Sequence, residues 1–444
     1  MYEIIVLFFS IITLLMCMAM FFVSRDKKIA IIFVTLMTLT SLKVWLASAL
    51  DLIIISFIIS EYKNLKAFFI QINRNKITKK ILFLLILMFV LDIIFSPHLH
   101  STIEIIKYFD LFIFRKYLLL FITFYTIKVT NNTKPLIKYS IIAMGVLTFF
   151  GIINYIQKES DIVSAFVSVN NKVNFAKGDA FSFSNRFRVQ SMFINPFDYG
   201  YICCICLLIY LNKRKQFGNR LFIAMIFCCI FGILLCGCRT VIICALTSVL
   251  IYFCIVYNTR RFVLLTLLML TISVLSYILF PFVTEKIDSV VKLFSDEDYG
   301  GSSLSMRQVQ FATVLKYVEY KPLFGNGVGY FYEDLGWENG DQSRIDSDLQ
   351  GLEGIYLGRI LEHGFVGYIL YIIVWIIMLL SLIKCRKNNR TLAGLGIAVW
   401  TAYTCFANMT GELLSVAPTL IIIGCIMGHF SSKHVGTPAI SIRN

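Results

Sequence analysis

The sequence predicts an all-α polytopic integral membrane protein with about 12–13 transmembrane helices. Of its 444 residues, 58% are hydrophobic, and the mean hydropathy is +0.79. Soluble globular domains average roughly 45–50% apolar residues. The excess lies in runs of about 15–25 residues, the length at which a helix spans a bilayer core. Every second loop between these runs is short and basic, as expected when alternate loops lie on the same side of a membrane.

One transmembrane domain is predicted over residues 1–444, because thirteen apolar segments are spread along the chain. The first segment lacks a preceding basic region and a small-residue cleavage site, so we interpret it as a retained helix rather than a removed signal peptide. The fifth contains Lys107, Asp110 and Arg115, so its first half is predicted to lie along the interface or to face the protein interior. The segments are 2–23, 29–42, 45–60, 81–97, 106–127, 136–156, 194–211, 220–236, 239–257, 262–281, 355–383, 392–408 and 413–430.

Charge predicts the orientation of these segments. Short loops rich in Lys and Arg remain cytoplasmic, which places the N-terminus outside and the C-terminus inside. Two hydrophilic loops then fall on the extracytoplasmic face, at 157–193 and 282–354. The second holds thirteen Asp and Glu against six Lys and Arg. It is long enough to contain short helices, and one is predicted between Ser305, a possible N-cap, and Pro322. The basic loops are 24–28, 61–80, 212–220, 258–261 and 384–390.

The net charge of +15 does not indicate a nucleic-acid partner, because in a membrane protein such charge collects in the cytoplasmic loops. Most of the thirteen cysteines lie inside apolar runs, where cysteine behaves as a small hydrophobic residue. Paired CxxC motifs at zinc spacing do not occur in the sequence, so neither a metal site nor a disulfide framework is predicted.

Three arginines are predicted on the extracytoplasmic face, against the general charge trend. Arg188 precedes the seventh segment, Arg239 lies in the tight turn between the eighth and ninth, and Arg307 begins the predicted loop helix. Guanidinium groups bind phosphate oxygens in a bidentate manner and stay charged at any working pH. We therefore favour a shared anionic ligand, namely a polyprenyl pyrophosphate at headgroup depth. The alternative is that these arginines pair with the acidic loop.

The stretch GNGVGYF at 325–331 has the glycine content of a phosphate-binding loop. It lacks the spacing of the nucleotide-binding motif and follows no predicted strand. We interpret it as a tight turn after Lys321 and Pro322, in which the glycines adopt positive φ.

These landmarks together resemble the O-antigen ligase/polymerase family, most closely its Wzy-type polymerases. The resemblance covers about 185–370 by motif and the whole chain by topology. The matching residues are Arg188, Phe193, Asn195 and Pro196; Arg239 in Gly237-Cys238-Arg239-Thr240; Arg307 with Pro322, Leu323, Gly325 and Gly327; and Tyr356, Leu357, Glu362, Gly364 and Gly367.

The resemblance implies a metal-independent glycosyltransferase of the bacterial inner membrane that needs no cofactor. Its donor and acceptor would be undecaprenyl-pyrophosphate-linked glycans, joined into O-antigen or capsule-type polysaccharide. Membrane lipid and a chain-length regulator protein are the further partners that it implies. Arg188, Arg239, Arg307 and Arg359 are the candidates for binding the pyrophosphate. An O-antigen ligase of the same family and a lipid-linked oligosaccharide flippase or transporter remain the alternatives.

The acceptor hydroxyl needs a base within hydrogen-bond reach. In related ligases a histidine stands at the position that Glu353 occupies here, which favours a polymerase over a ligase. Glu353 is our preferred base, with Asp348 and Glu362 as further catalytic candidates. Arg359 and Glu362 are spaced i, i+3 and are predicted to form a pair at the helix mouth. His363 is interpreted as an interfacial side chain.

Overall fold

The computed structural model describes residues 2–44, 47–158, 161–168, 188–214, 218–279, 284, 288, 304–335, 347–349, 352, 354–410 and 416–433. These residues form helices almost throughout, apart from an antiparallel hairpin of β1 (Lys43–Val44) and β2 (Ala47–Ser48). The chain is an all-α polytopic membrane protein, and the predicted fold class is confirmed. Each predicted apolar segment coincides with a helix in the described part of the chain.

The helices follow one another with short connections. In chain order they are α1 (Tyr2–Phe22), α2 (Arg25–Thr38), α3 (Ala49–Ser60), α4 (Leu65–Arg74), α5 (Lys76–Phe95), α6 (Thr102–Phe109), α7 (Leu118–Thr130), α8 (Lys134–Gln157), α9 (Asp161–Ser168), α10 (Pro196–Asn212), α11 (Asn219–Leu235), α12 (Arg239–Val256), α13 (Thr259–Leu279), α14 (Leu304–Tyr317), α15 (Ile355–Cys385), α16 (Arg390–Thr410) and α17 (Val416–Lys433). Helix α14 confirms the helix predicted within the long loop.

Length and composition qualify five of the described helices as membrane spans by themselves. They are α1, α8, α12, α15 and α16. Helices α3, α10, α11 and α17 are apolar but shorter. Of these, α10 is buried on nearly every side among its neighbours. A helix packed inside a bundle does not have to match the full bilayer thickness by itself.

Side chains from distant parts of the chain meet at one end of the bundle, which we call the basic end. Lys28 at the start of α2 pairs with Glu61 after α3 at 2.7 Å. The Asn75 amide donates to Ser431 Oγ of α17 at 3.0 Å, and Arg390 donates to the Tyr257 carbonyl at 3.1 Å. The basic loops of the sequence therefore meet at a single end, as alternating orientation requires.

Contacts of the same kind define the opposite end, which we call the arginine end. The Ile194 amide donates to Ser41 Oγ at 3.3 Å, and Ser96 Oγ donates to the Val328 carbonyl at 3.1 Å. The long loop between α13 and α15 therefore covers the same end of the bundle as the loop before α10.

The fifth predicted segment forms one continuous helical stretch from α6 to α7, joined by a π-helix at Asp110–Tyr117. Arg115 in this π-helix bonds Asp51 of α3 at 2.7 Å and Asp110 at 2.6 Å. Of the two predicted alternatives, these bonds favour the protein interior for the charged residue Arg115. π-Helices in otherwise α-helical segments occur frequently at functional sites.

Candidate functional site

Helix α15 is broken at Gly364, whose backbone lies at φ 63°, ψ −170°. A break within a membrane helix leaves carbonyl and amide groups without their intrahelical partners, and lipid cannot satisfy them. The segment 322–327 of the long loop supplies the missing partners. The four bonds are Asn326 N–H to Leu361 O (3.0 Å), Gly327 N–H to Glu362 O (2.9 Å), Phe365 N–H to Pro322 O (2.9 Å) and Val366 N–H to Leu323 O (3.0 Å).

Two glycine motifs of the sequence make this backbone pairing possible. Gly325 and Gly327 have φ values of +70° and +101°, which confirms the predicted turn with positive φ. A Cβ at Gly325 would lie 2.5 Å from the Gly364 nitrogen, and one at Gly364 would lie 2.4 Å from the Leu323 carbonyl oxygen. The glycines of PLFGNG and of EHGFVG are thus the two sides of one close backbone contact.

The same loop also packs on the C-terminal end of α5. The rings of Phe95 and Phe324 stack with centroids 3.7 Å apart. His98, just beyond α5, lies 3.0 Å from a Glu333 oxygen and 2.7 Å from an Asp334 oxygen. The loop is therefore fixed on two sides, by the break in α15 and by the end of α5.

The Glu362 carboxylate faces this loop. Its Oε1 accepts from the Gly329 amide at 3.1 Å and from the Phe331 amide at 3.4 Å. The hydrogen bonds of Glu362 and Arg359 go to other partners than the predicted pair: Glu362 accepts from the loop amides, and Arg359 donates to His363. Through these two hydrogen bonds the Glu362 carboxylate holds the loop against α15.

A chain of polar side chains links α15, α5 and α6. His363 Nε2 lies 3.0 Å from Arg359 Nη1, and His363 Nδ1 lies 2.6 Å from Asp92 Oδ1. The Tyr108 hydroxyl donates to the other Asp92 oxygen. Because a guanidinium only donates, Nε2 must accept, which leaves the ring proton on Nδ1 to donate to Asp92.

This network is buried, and it corrects one interpretation of the sequence. The side chains of His363 and Asp92 are 5% and 9% exposed, so His363 is not an interfacial side chain. Asp92 was missed, although a carboxylate inside an apolar run is itself a signal of function. The partner of His363 is Asp92 on a helix distant in sequence, which local spacing does not reveal.

The Arg359 guanidinium is also enclosed by aromatic rings. Its central carbon lies 5.2 Å from the Tyr371 ring centroid and 5.5 Å from that of Phe112, which belongs to the π-helix. Cation–π contacts within about 6 Å stabilise a desolvated cation. His363 and these two rings hold the guanidinium beside a small pocket lined by Asp92, His363 and Gly367.

The three other predicted arginines lie at the arginine end. The Val189 amide donates to the Leu235 carbonyl at 3.1 Å, so Arg188 is near the α11–α12 turn that carries Arg239. The Arg188 guanidinium lies 5.9 Å from the centre of the Phe197 ring. Arg307 Nη2 donates to the Met409 carbonyl at 2.8 Å.

Helices α12 and α16 run in opposite directions, so the start of α12 and the end of α16 lie at the same end of the bundle. Arg390 at the start of α16 bonds the Tyr257 carbonyl at the far end of α12. Met409 at the other end of α16 must then lie near the start of α12, where Arg239 is the first residue. The structure thus places Arg188, Arg239 and Arg307 at one end of the bundle.

The predicted carboxylates differ in their positions. Asp348 is exposed, in a short helix at Ser347–Leu349. Glu353 lies outside the described residues. Its neighbour Gly354 is the N-cap of α15, and a Cβ there would lie 3.0 Å from the Asn408 carbonyl oxygen. Burial raises the pKa of the Tyr330 hydroxyl, with Tyr317 and Asp334 acting in the same direction. Tyr330 is therefore a neutral group at physiological pH.

Metal chemistry has no candidate site in the part of the chain that the structure describes. Within those residues, no group of three or more His, Cys, Asp or Glu side chains could hold a metal ion. The polar groups collected here are guanidinium groups, one buried histidine–carboxylate pair and hydroxyls. Such a set can compensate negative charge and can hold a hydroxyl or an anion by hydrogen bonds.

The fold and the site define a polytopic membrane protein whose arginine-bearing end is covered by a long loop. A family model described as O-antigen ligase matches residues 224–372, about a third of the chain. This match supports the resemblance to the O-antigen ligase/polymerase family that the motifs predicted, over the region from α11 to the first half of α15. The family implies a glycosyltransferase-like enzyme that acts on lipid-linked glycans. The matched region contains Arg239, Arg307 and Arg359 together with the broken part of α15. No curated protein matches the chain.

Proposed function

We propose that this protein polymerises undecaprenyl-pyrophosphate-linked oligosaccharide repeat units at the outer face of the bacterial inner membrane. The observation that carries the proposal is the gathering of Arg188, Arg239 and Arg307 at the end of the bundle opposite the basic loops. Lys and Arg are normally concentrated at the cytoplasmic end. Arginines at the other end, near headgroup depth, suit a lipid-linked pyrophosphate.

The reaction is a displacement at the anomeric carbon of the donor glycan. The acceptor hydroxyl oxygen forms a bond to that carbon, and the bond from the carbon to the pyrophosphate oxygen breaks. The pyrophosphate leaves with the electron pair, so it requires charge compensation rather than a general acid. Preorganised guanidinium groups supply that compensation.

Arg359 is the fourth candidate for this role, and its surroundings support a positioning network. Asp92 accepts from His363, and His363 accepts from Arg359. A guanidinium held by such contacts loses less freedom when it binds an anion, which is the advantage of preorganisation. In this proposal Asp92 and His363 are positioning residues that act through Arg359.

The acceptor proton passes to a carboxylate. Glu353 remains the proposed base, and Asp348 the next candidate, because both belong to the loop that covers the arginine end. Glu362 becomes the weaker candidate, since its Oε1 already accepts from two loop amides. The absence of the ligase histidine at position 353 is what favours a polymerase over a ligase.

The test uses purified protein in lipid vesicles with lipid-pyrophosphate-linked repeat units as the only substrate. A polymerase lengthens these units into a ladder without ATP or divalent metal. A ligase leaves them unchanged until a separate glycolipid acceptor is added. Movement of the lipid across the vesicle without lengthening identifies a transporter. Either of the last two results contradicts the proposal.

The site is tested by Arg239→Ala and Arg307→Ala, which we expect to reduce elongation at least a hundredfold. Removing one preorganised group that stabilises transition-state charge costs roughly a hundredfold to a thousandfold in rate. Arg261→Ala is the matched control, because it removes the same charge from an exposed position on the first turn of α13. If the control loses as much activity as the two site variants, the arginines act through net charge and not through a site.

A further inference from the structure

A groove at the basic end of the protein combines three lysines with an apolar floor. Lys76, Lys79 and Lys80 line one side with the aliphatic parts of their side chains, on the first turns of α5. Phe83 and Leu84 of α5 and Ile377 of α15 form the floor. The groove encloses about 440 Å³, which is within the range of roughly 300–1,000 Å³ found for ligand pockets.

The position of the lysines is locally unfavourable for the helix. Helix N-termini carry partial positive charge and favour anions, and like charges spaced i, i+3 or i, i+4 repel each other. Lys76, Lys79 and Lys80 are exposed, and none of the three side chains has an ion pair among the described residues. Basic residues near this end keep the loop on the cytoplasmic side of the membrane. That role does not require three lysines on one face of a helix.

Helix α4 indicates the depth of the groove. It is amphipathic, with Phe68 and Ile72 buried against the bundle and the charged ends of Lys66 and Arg74 on the other side. Phe69 and Ile70 of α4 stay exposed, so this helix also offers apolar side chains to the membrane interface, where amphipathic helices lie. Because α5 follows α4 after one residue, its lysines start at headgroup depth. Phe83 lies seven residues further along α5, about 10 Å deeper by the helical rise.

We propose that this groove is a binding site for one anionic phospholipid, with its phosphate on the three lysines and an acyl chain over Phe83, Leu84 and Ile377. Charge complementarity selects the occupant, since the lysines lack an acidic partner and the floor is apolar. Removing one juxtamembrane lysine should lower the affinity for an anionic lipid roughly fivefold. The site is independent of the proposed reaction, which takes place at the opposite end.

The test measures by native mass spectrometry which lipids stay bound to the full-length protein. The protein is released from nanodiscs that contain phosphatidylglycerol and phosphatidylcholine in equal amounts. Wild type is expected to retain phosphatidylglycerol preferentially. In the triple variant Lys76→Gln, Lys79→Gln, Lys80→Gln, the ratio of bound phosphatidylglycerol to bound phosphatidylcholine should fall by about a hundredfold. The matched control is Arg220→Gln, Arg260→Gln, Arg261→Gln, which removes equal charge from exposed positions at the starts of α11 and α13 and should retain the preference.

A second variant keeps every charge and fills the groove. Ile377→Trp should abolish the retained phosphatidylglycerol, because the larger ring occupies the space of the acyl chain. Soluble glycerol phosphate should not displace the lipid from wild type, since the phosphate alone lacks the apolar contact. Equal retention of both lipids by wild type, undiminished retention by Ile377→Trp, or displacement by glycerol phosphate would each overturn the proposal.

Discussion

Replacing Gly364 by alanine should release the long loop from the break in α15. Gly364 adopts φ 63°, ψ −170°, a conformation that is essentially restricted to glycine. Its added Cβ would lie 2.4 Å from the Leu323 carbonyl oxygen and 2.5 Å from the Gly325 nitrogen. Both are backbone atoms, so a side-chain rotation cannot relieve the overlap.

The magnitude follows from two contributions. A residue held in such a backbone conformation costs about 1–3 kcal/mol. Relief of the overlap moves the loop and sacrifices at least the bonds from Phe365 to Pro322 and from Val366 to Leu323. These are worth about 0.5–1.5 kcal/mol each. The docked loop should therefore be destabilised by about 2–6 kcal/mol, which is a large part of the roughly 5–15 kcal/mol that stabilises a typical fold.

The assay is amide hydrogen exchange of the purified protein, followed by mass spectrometry of peptides that cover 322–331 and 361–370. At the lower limit of about 2 kcal/mol, exchange of the docked amides should accelerate about thirtyfold. The matched control is Gly358→Ala in the same helix, where an added Cβ meets nothing within 4 Å. That substitution should be neutral or slightly stabilising, since alanine is the better helix former. Equal protection in the two variants would refute the interlocked arrangement of loop and helix.

Two further substitutions test the parts of the site separately. Asp92→Asn leaves an amide facing two donors and should lower stability by about 1–3 kcal/mol, with a loss of elongation, measured as thermal midpoint and initial rate. Tyr108→Phe is its control, because it removes a hydroxyl and leaves the bond from His363 to Asp92; an equal loss of rate in both would contradict the positioning role. Phe324→Ala removes the ring stacked on Phe95 and should cost about 0.5–1.5 kcal/mol beyond the lost burial. A double-mutant cycle with Phe95→Ala measures this coupling, and additive effects would argue against it.

The fold could be predicted largely because an apolar run of membrane length satisfies its backbone hydrogen bonds within the lipid only as a helix. The exceptions follow from packing. Helix α10 is shorter than a bilayer requires, and its burial among other helices explains why. The π-helix between α6 and α7 was not predicted, and its Arg115 pairs with Asp51 of another helix, a contact that local spacing does not reveal.

The site was predictable only in part, for a related reason. Arg188, Arg239 and Arg307 drew attention through charges that local sequence does not explain, and the structure places them at one end. The pair of Asp92 and His363 joins residues 271 positions apart, and local spacing carries no information on such a contact. The i, i+3 spacing of Arg359 and Glu362 permits a pair, but Glu362 accepts from the loop amides and Arg359 donates to His363.

The break at Gly364 gives these separate observations one physical connection. Glu362 and His363 are adjacent, yet the first binds the amides of the loop and the second binds Arg359 and Asp92. A backbone rearrangement at Gly364 that released the loop would also rotate both side chains. Docking of the loop over the arginine end and placement of the Arg359 guanidinium are therefore linked through two consecutive residues, and a change that loosens either should be detectable in the other.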